Sequence, residues 1–131
     1  MEEPLASTLS QRKTVHKLWG WESWVVNRDY CGKILRLEPG FQCSLHRHKV
    51  KDETFLVIDG VVEVELGTGP ETQIELLLGW AMDSLRIPVG TYHRFQALDR
   101  PATMIEFSTH HEDDDTERLE DSRAVVDERP F

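Results

Sequence analysis

The sequence predicts an all-β domain, an antiparallel sandwich or barrel, on three observations. Short runs rich in β-branched and aromatic residues recur at roughly regular intervals, separated by Gly, Pro and Asp. An Asp59-Gly60 pair divides one of these runs, and Asp-Gly supplies the positive φ angles that a two-residue hairpin turn demands. Beyond it, Val62, Val64 and Leu66 alternate with Glu63 and Glu65, giving that strand one buried and one wet face.

In chain order, residues 1–18 read as a loose N-terminal arm, because the first thirteen hold no sustained period. Strand-like sequence begins at Trp19. Its tryptophans, Trp19, Trp21 and Trp24, could line a sugar-stacking edge or a dimer interface, with ordinary packing expected for at least two. Residues 31–37 form the next predicted strand, and 54–66 the hairpin about Asp59-Gly60. Residues 74–78, 84–88, 93–97 and 102–108 are further short strands, so the β domain spans 19–109. Residues 110–131 are strongly polar and read as a tail whose acids, Glu112 to Asp115, suit the first turn of a short helix. His110 and His111 lie in this tail. Adjacent strand residues point to opposite faces, so the pair reads as solvated rather than as a second metal site.

A chain of 131 residues is long enough for one hydrophobic core and too short for two. Its 39% apolar and 30% charged residues are ordinary for a soluble globular domain. The net charge of −9 argues against a nucleic-acid surface, which needs a basic patch. No run approaches the ~20 apolar residues of a membrane span and no leader-like segment opens the chain, so a cytoplasmic location is expected. Cys31 and Cys43 have no CxxC spacing and read as reduced, buried thiols.

Two motifs carry the chemistry. The first is Gly40-x5-His46-x-His48-x4-Glu53-x6-Gly60, and the second is Pro88-x-Gly90-x2-His93. His46 and His48 are two apart, so on a strand both face the same way. Three imidazoles and one carboxylate suit a single divalent ion while leaving positions open for substrate or water. Mn²⁺, Fe²⁺, Zn²⁺ and Ni²⁺ all accept that donor set. Three more residues stand out. Lys51 lies two before Glu53 and shares its face; Glu106 is a lone carboxylate on an apolar strand, where burial would raise its pKa; Arg118 is a cation in the polar tail.

With both motifs in place, the chain resembles a cupin from about Trp19 to Ser108. That resemblance implies a double-stranded β-helix, or jelly-roll barrel, with a metal in its mouth held by His46, His48, Glu53 and His93. A narrower pattern adds Trp19-Gly20, Pro39-Gly40-x3-Ser44 ahead of the histidines, Ile105-Glu106, and Glu112-Asp113-Asp114-Asp115-x2-Arg118. It is similar to the isomerase domain of type II mannose-6-phosphate isomerases and to D-lyxose isomerases. His46 and Lys51 stand where the former usually carry Gln and Arg, and so lean towards the latter. The resemblance implies aldose–ketose isomerisation of a sugar or sugar phosphate through an enediolate. Glu106 would be the base, Lys51 the electrophile or proton partner, and Arg118 would close over substrate oxygens. Cupins also include carbohydrate-binding modules without turnover and Fe-dependent oxygenases, and these remain the alternatives. A homodimer is expected because single-domain cupins commonly pair through their N-terminal strands.

Overall fold

The structure, a computed structural model, describes residues 11–69 and 75–125. It is built almost wholly from strands, with no α-helix among the described residues. In the first half these are β1 (Lys13–Lys17), β2 (Gly20–Asn27), β3 (Tyr30–Leu37), β4 (Phe41–Gln42), β5 (Leu45–His48), β6 (Glu53–Asp59) and β7 (Val62–Gly67). The second half holds β8 (Glu75–Gly79), β9 (Ser84–Ile87), β10 (Tyr92–Ala97) and β11 (Ala102–Thr109). A 3-10 turn at Asp113–Asp115 then leads into β12 (Thr116–Glu120) and β13 (Arg123–Ala124). Of the strand predicted at 74–78, Ile74 lies outside the described residues.

Two antiparallel sheets face each other as a jelly-roll. One runs β1-β2-β3-β11-β6-β9; the other runs β12-β5-β10-β4-β13, with β7 on β10 and β8 on β7. Among the described residues the two ladders stay separate and do not close into one hydrogen-bonded barrel. Their inner faces bury Leu35, Leu37, Phe55, Val57 and Met104 against Val62, Val64, Phe95 and Ala97. Strand alternation does the sorting, since every second residue of β3, β6 and β7 points inward. Phe55 and Phe95 meet edge to face at 4.6 Å, joining the sheets beneath the polar end of the cavity.

Three sequence expectations change. The Asp59-Gly60 turn is not a hairpin, because β6 pairs with β11 and β9 while β7 pairs with β10 and β8. It is the corner at which the chain passes from one sheet to the other. Gly60 does take a positive φ of 82° there, but Met82 is the only non-glycine described residue that does so, so Asp59 lacks the φ of a type I′ turn. A Cβ on Gly60 would stand 2.8 Å from the Pro101 carbonyl oxygen, so close approach also requires the glycine.

The other two changes concern the ends. Part of the expected arm is strand β1, paired residue for residue with β2. The polar tail is also built into the fold: β12 lies along β5, and β13 along β4. Its acids do form a short helix, but only the single 3-10 turn Asp113–Asp115. Asp115 turns its carboxylate onto the backbone N–H groups of Lys49, Val50 and Lys51, each 2.9 Å away, capping the loop before β6.

Candidate metal centre

The centre forms where β5 and β10 run side by side, with His46 paired directly to His93. Two-residue alternation brings His48 to the same face as His46. The turn after Pro88 is tied to β5 by a 2.8 Å hydrogen bond from Gly90 N–H to the His48 carbonyl oxygen. The ring centroids of His46 lie 4.5 Å from those of His93 and 5.0 Å from those of His48. One nitrogen from each of the three rings falls within 4.8 Å of the others, so these imidazoles could hold a metal ion.

Two of the three are oriented from behind, while His48 Nδ1 is buried without a hydrogen-bond partner. The Nδ1–H of His46 donates to the Ser44 carbonyl oxygen at 3.0 Å, and that of His93 to the Thr91 carbonyl oxygen at 2.9 Å. Each bond fixes the tautomer that leaves Nε2 with a lone pair facing the cavity. Burial, followed by the neighbouring His93 and His48, holds the pKa of His46 down to about 3. The ring stays neutral, as ligation requires.

Glu53, the first residue of β6, reaches into the same space. Its Oε1 is 3.3 Å from His48 Nε2 and its Oε2 is 3.1 Å from His93 Nε2. Burial would raise its pKa, but the His48 and His93 imidazoles and the Lys51 ammonium outweigh this and hold it well below the carboxylate range. Yet Glu53 Oε2 and His93 Nε2 are both buried without a properly directed hydrogen bond. Two lone-pair atoms aimed at each other are costly unless a cation lies between them. The donor set therefore fits a divalent ion.

Facing the histidines is a wall of charge. Lys51 Nζ lies 2.9 Å from Glu53 Oε1, 2.8 Å from Glu106 Oε2 and 2.9 Å from His111 Nδ1. Burial opposes the ammonium, but Glu106 and Glu53 outweigh it and raise the Lys51 pKa. Glu106 is buried as the apolar strand suggested, but it is not alone: its Oε2 also accepts from Ser108 Oγ at 2.8 Å. Deeper along β3, Lys33 is buried 3.8 Å from Glu22 Oε1, with its ammonium 4.2 Å over the ring of Trp24. Arg118 is exposed at the rim, opposite His46 across the β12–β5 ladder. These groups line one cavity of about 480 Å³.

The fold thus gathers all seven residues singled out in the sequence, six of them inside and Arg118 at the edge. It also adds His111, Lys33 and Glu22. His111 was read as solvated tail, but its side chain is only 11% exposed and packs edge-on against Trp24 at 5.1 Å. His110 does face outward, at 48% exposed. Lys33 had a legible signal: it interrupts the inward series Cys31, Leu35 and Leu37 on β3, where lysine is rare unless paired.

Comparison with known proteins follows the same lines. Residues 6–121 match the family model described as mannose-6-phosphate isomerase C-terminal. No curated protein matches the chain. Among solved structures, the capsular polysaccharide assembling protein CapF from Staphylococcus aureus superposes with a TM-score of 0.75 at 20% identity, over 84% of this chain and 34% of that one. Oxalate decarboxylase from Bacillus subtilis gives 0.70 at 21% identity, over 84% and 30%. KdgF from Halomonas sp. gives 0.61 at 24% identity, over 72% and 81%. All three are cupins, and at these identities they show the fold alone. The chain spans about a third of the length of the first two.

Proposed function

This chain belongs to the mannose-6-phosphate isomerase C-terminal family of cupins, and from that premise we propose that it is a metal-dependent aldose–ketose isomerase acting on a sugar or sugar phosphate. One observation carries the reading. A buried carboxylate, Glu106, is joined through Lys51 to Glu53 beside the three imidazoles, so an acid–base group and a metal cradle share one cavity.

In this reading His46, His48, His93 and Glu53 hold one divalent ion, of the Mn²⁺, Fe²⁺, Zn²⁺ or Ni²⁺ type. Such an ion supplies Lewis-acid polarisation of the sugar carbonyl and its neighbouring hydroxyl, and stabilises negative charge developing on an enediolate. Glu106 takes the proton from C2 of the aldose and returns it to C1, while a second proton passes from O2 to O1, which balances the isomerisation. Lys51, 2.8 Å from Glu106 Oε2, holds that carboxylate in place beside the metal cradle. Arg118 donates to substrate oxygens at the rim. Both inner lysines already face carboxylates, Lys51 with Glu53 and Glu106 and Lys33 with Glu22.

The test is metal analysis of the purified protein, then an isomerisation screen with added Mn²⁺ or Zn²⁺ over free and phosphorylated pentoses and hexoses. Turnover of an aldose, with metal lost in His93→Ala, is expected. Tight metal binding with no turnover of any sugar would overturn the isomerase reading in favour of a binding module.

A further inference from the structure

An ammonium group has three N–H donors and no acceptor. Lys51 spends all three: on Glu53 Oε1 at 2.9 Å, Glu106 Oε2 at 2.8 Å and His111 Nδ1 at 2.9 Å. Two of the acceptors are carboxylates of the site already described. The third is a histidine from the segment beyond β11, which the functional reading leaves unused.

His111 is held from four directions. Its backbone N–H donates to Asn27 Oδ1 at 2.8 Å, and its carbonyl accepts from Asn27 Nδ2 at 3.1 Å, so one amide side chain grips both backbone groups. Trp24 packs against the ring. Asp113 Oδ1 lies 2.8 Å from Nε2, and a carboxylate there selects the tautomer with the proton on Nε2. Nδ1 is thereby left as an acceptor, pointed at Lys51. An imidazole protonated on both nitrogens could not accept that bond.

We infer that His111, with its tautomer set by Asp113, is a positioning residue that completes the hydrogen-bond shell of Lys51 and so fixes Glu106 relative to the metal cradle. Lys51 is accordingly a strut rather than a group that reaches substrate, because it has no donor left to offer. The effect on catalysis passes through geometry: displacement of a reacting carboxylate by about 1 Å can cost on the order of 100-fold in rate. The kinetic part rests on the isomerase reading. The structural part does not.

The test compares His111→Ala with His111→Asn, whose Oδ1 sits where Nδ1 does and can accept the same bond. The direct readout is the slowly exchanging ¹⁵N ammonium resonance of Lys51, assigned by its loss in Lys51→Met. We expect this signal in the wild type and in His111→Asn, and its loss in His111→Ala. Where sugar turnover is found, kcat should fall by about 10- to 100-fold in His111→Ala and recover in His111→Asn. A Lys51 signal that survives in His111→Ala, or is lost in His111→Asn, overturns the inference whether or not the protein isomerises sugars. Should the alanine variant fail to fold, His111→Asn against wild type still decides, by retention or loss of the resonance.

Discussion

Along the β5–β10 wall of the cavity, His46 and His93 are braced from behind by backbone carbonyls, His48 Nδ1 is buried without a partner, and in front His93 Nε2 and Glu53 Oε2 face each other unbonded. Along the opposite wall, Lys51 from the loop before β6, Glu106 from β11, Lys33 from β3 and Glu22 from β2 are charged and already matched to one another. Both walls are polar and buried, yet they are built for different ends. Unsatisfied donors and acceptors mark where something is to be bound. Satisfied ones hold a geometry, at the desolvation cost every buried ion pair carries. The catalytic carboxylate is proposed on the second wall because only there is a group both reactive and fixed.

The largest effect should come from breaking the charged wall at its reactive member. Glu106→Gln retains the shape and can still accept from Lys51, but removes the base. Turnover should fall by about 10²- to 10⁴-fold, while metal content and thermal stability stay close to wild type. Initial-rate kinetics beside metal analysis check this. Activity retained in the variant would move the base elsewhere.

Lys51→Met tests the same wall as structure. It strands Glu53 and Glu106, two buried carboxylates, without their shared cation. Breaking a buried pair in this way costs about 3–5 kcal/mol, measured by denaturant unfolding of the metal-free protein. Bound metal should restore part of the loss through Glu53 and none through Glu106. Full rescue by metal would mean that the two walls are not independent.

The histidine wall was legible in the sequence and much of the charged wall was not, for a physical reason. His46 and His48 are two residues apart on one strand, and His93 sits behind a Pro-x-Gly turn, so local spacing fixes their direction. Lys51 and Glu106 could be singled out, but their contact joins the loop before β6 to β11, fifty-five positions further on. His111 could not be read at all. Nothing in a run of histidines and acids says that Asn27 will clamp its backbone or that Asp115 will cap the loop holding Lys51. The hairpin misreading at Asp59-Gly60 has a similar origin, since a left-handed glycine serves a sheet-to-sheet corner as well as a hairpin. Strands and their alternation were local properties; the sheet to which each belonged was not.

Acid should separate the walls next, with an effect spread over pH. His46 has a folded pKa of about 3 against an ordinary 6.5. Between those values the unfolded chain binds a proton that the folded one refuses, so stability falls as pH drops from 6.5 towards 3. Glu53 is held below its ordinary 4.5, so its contribution is present above that value and is lost as pH falls through its folded pKa. Both have the same sign. The metal-free protein should lose at most about 1.4 kcal/mol per pH unit for each titrating group. His46→Asn should lessen the slope from 6.5 down towards 3, leaving the contribution of His111, also held down by burial, and that of Glu53 below 4.5, as chemical denaturation at a series of pH values would show.

The smallest effect belongs to the rim. Arg118 is exposed on β12, across the ladder from His46. Its loss should leave metal content, stability and the Lys51 ammonium resonance unchanged. If it donates to substrate oxygens from a solvated position, Arg118→Ala should raise KM by about tenfold, the equivalent of a hydrogen bond of roughly 1.4 kcal/mol to a charged donor, with little change in kcat. A kcat loss of the Glu106→Gln size would instead place Arg118 in the transition state. The rim would then count as a third wall, and the division between a binding side and a holding side would have to be redrawn.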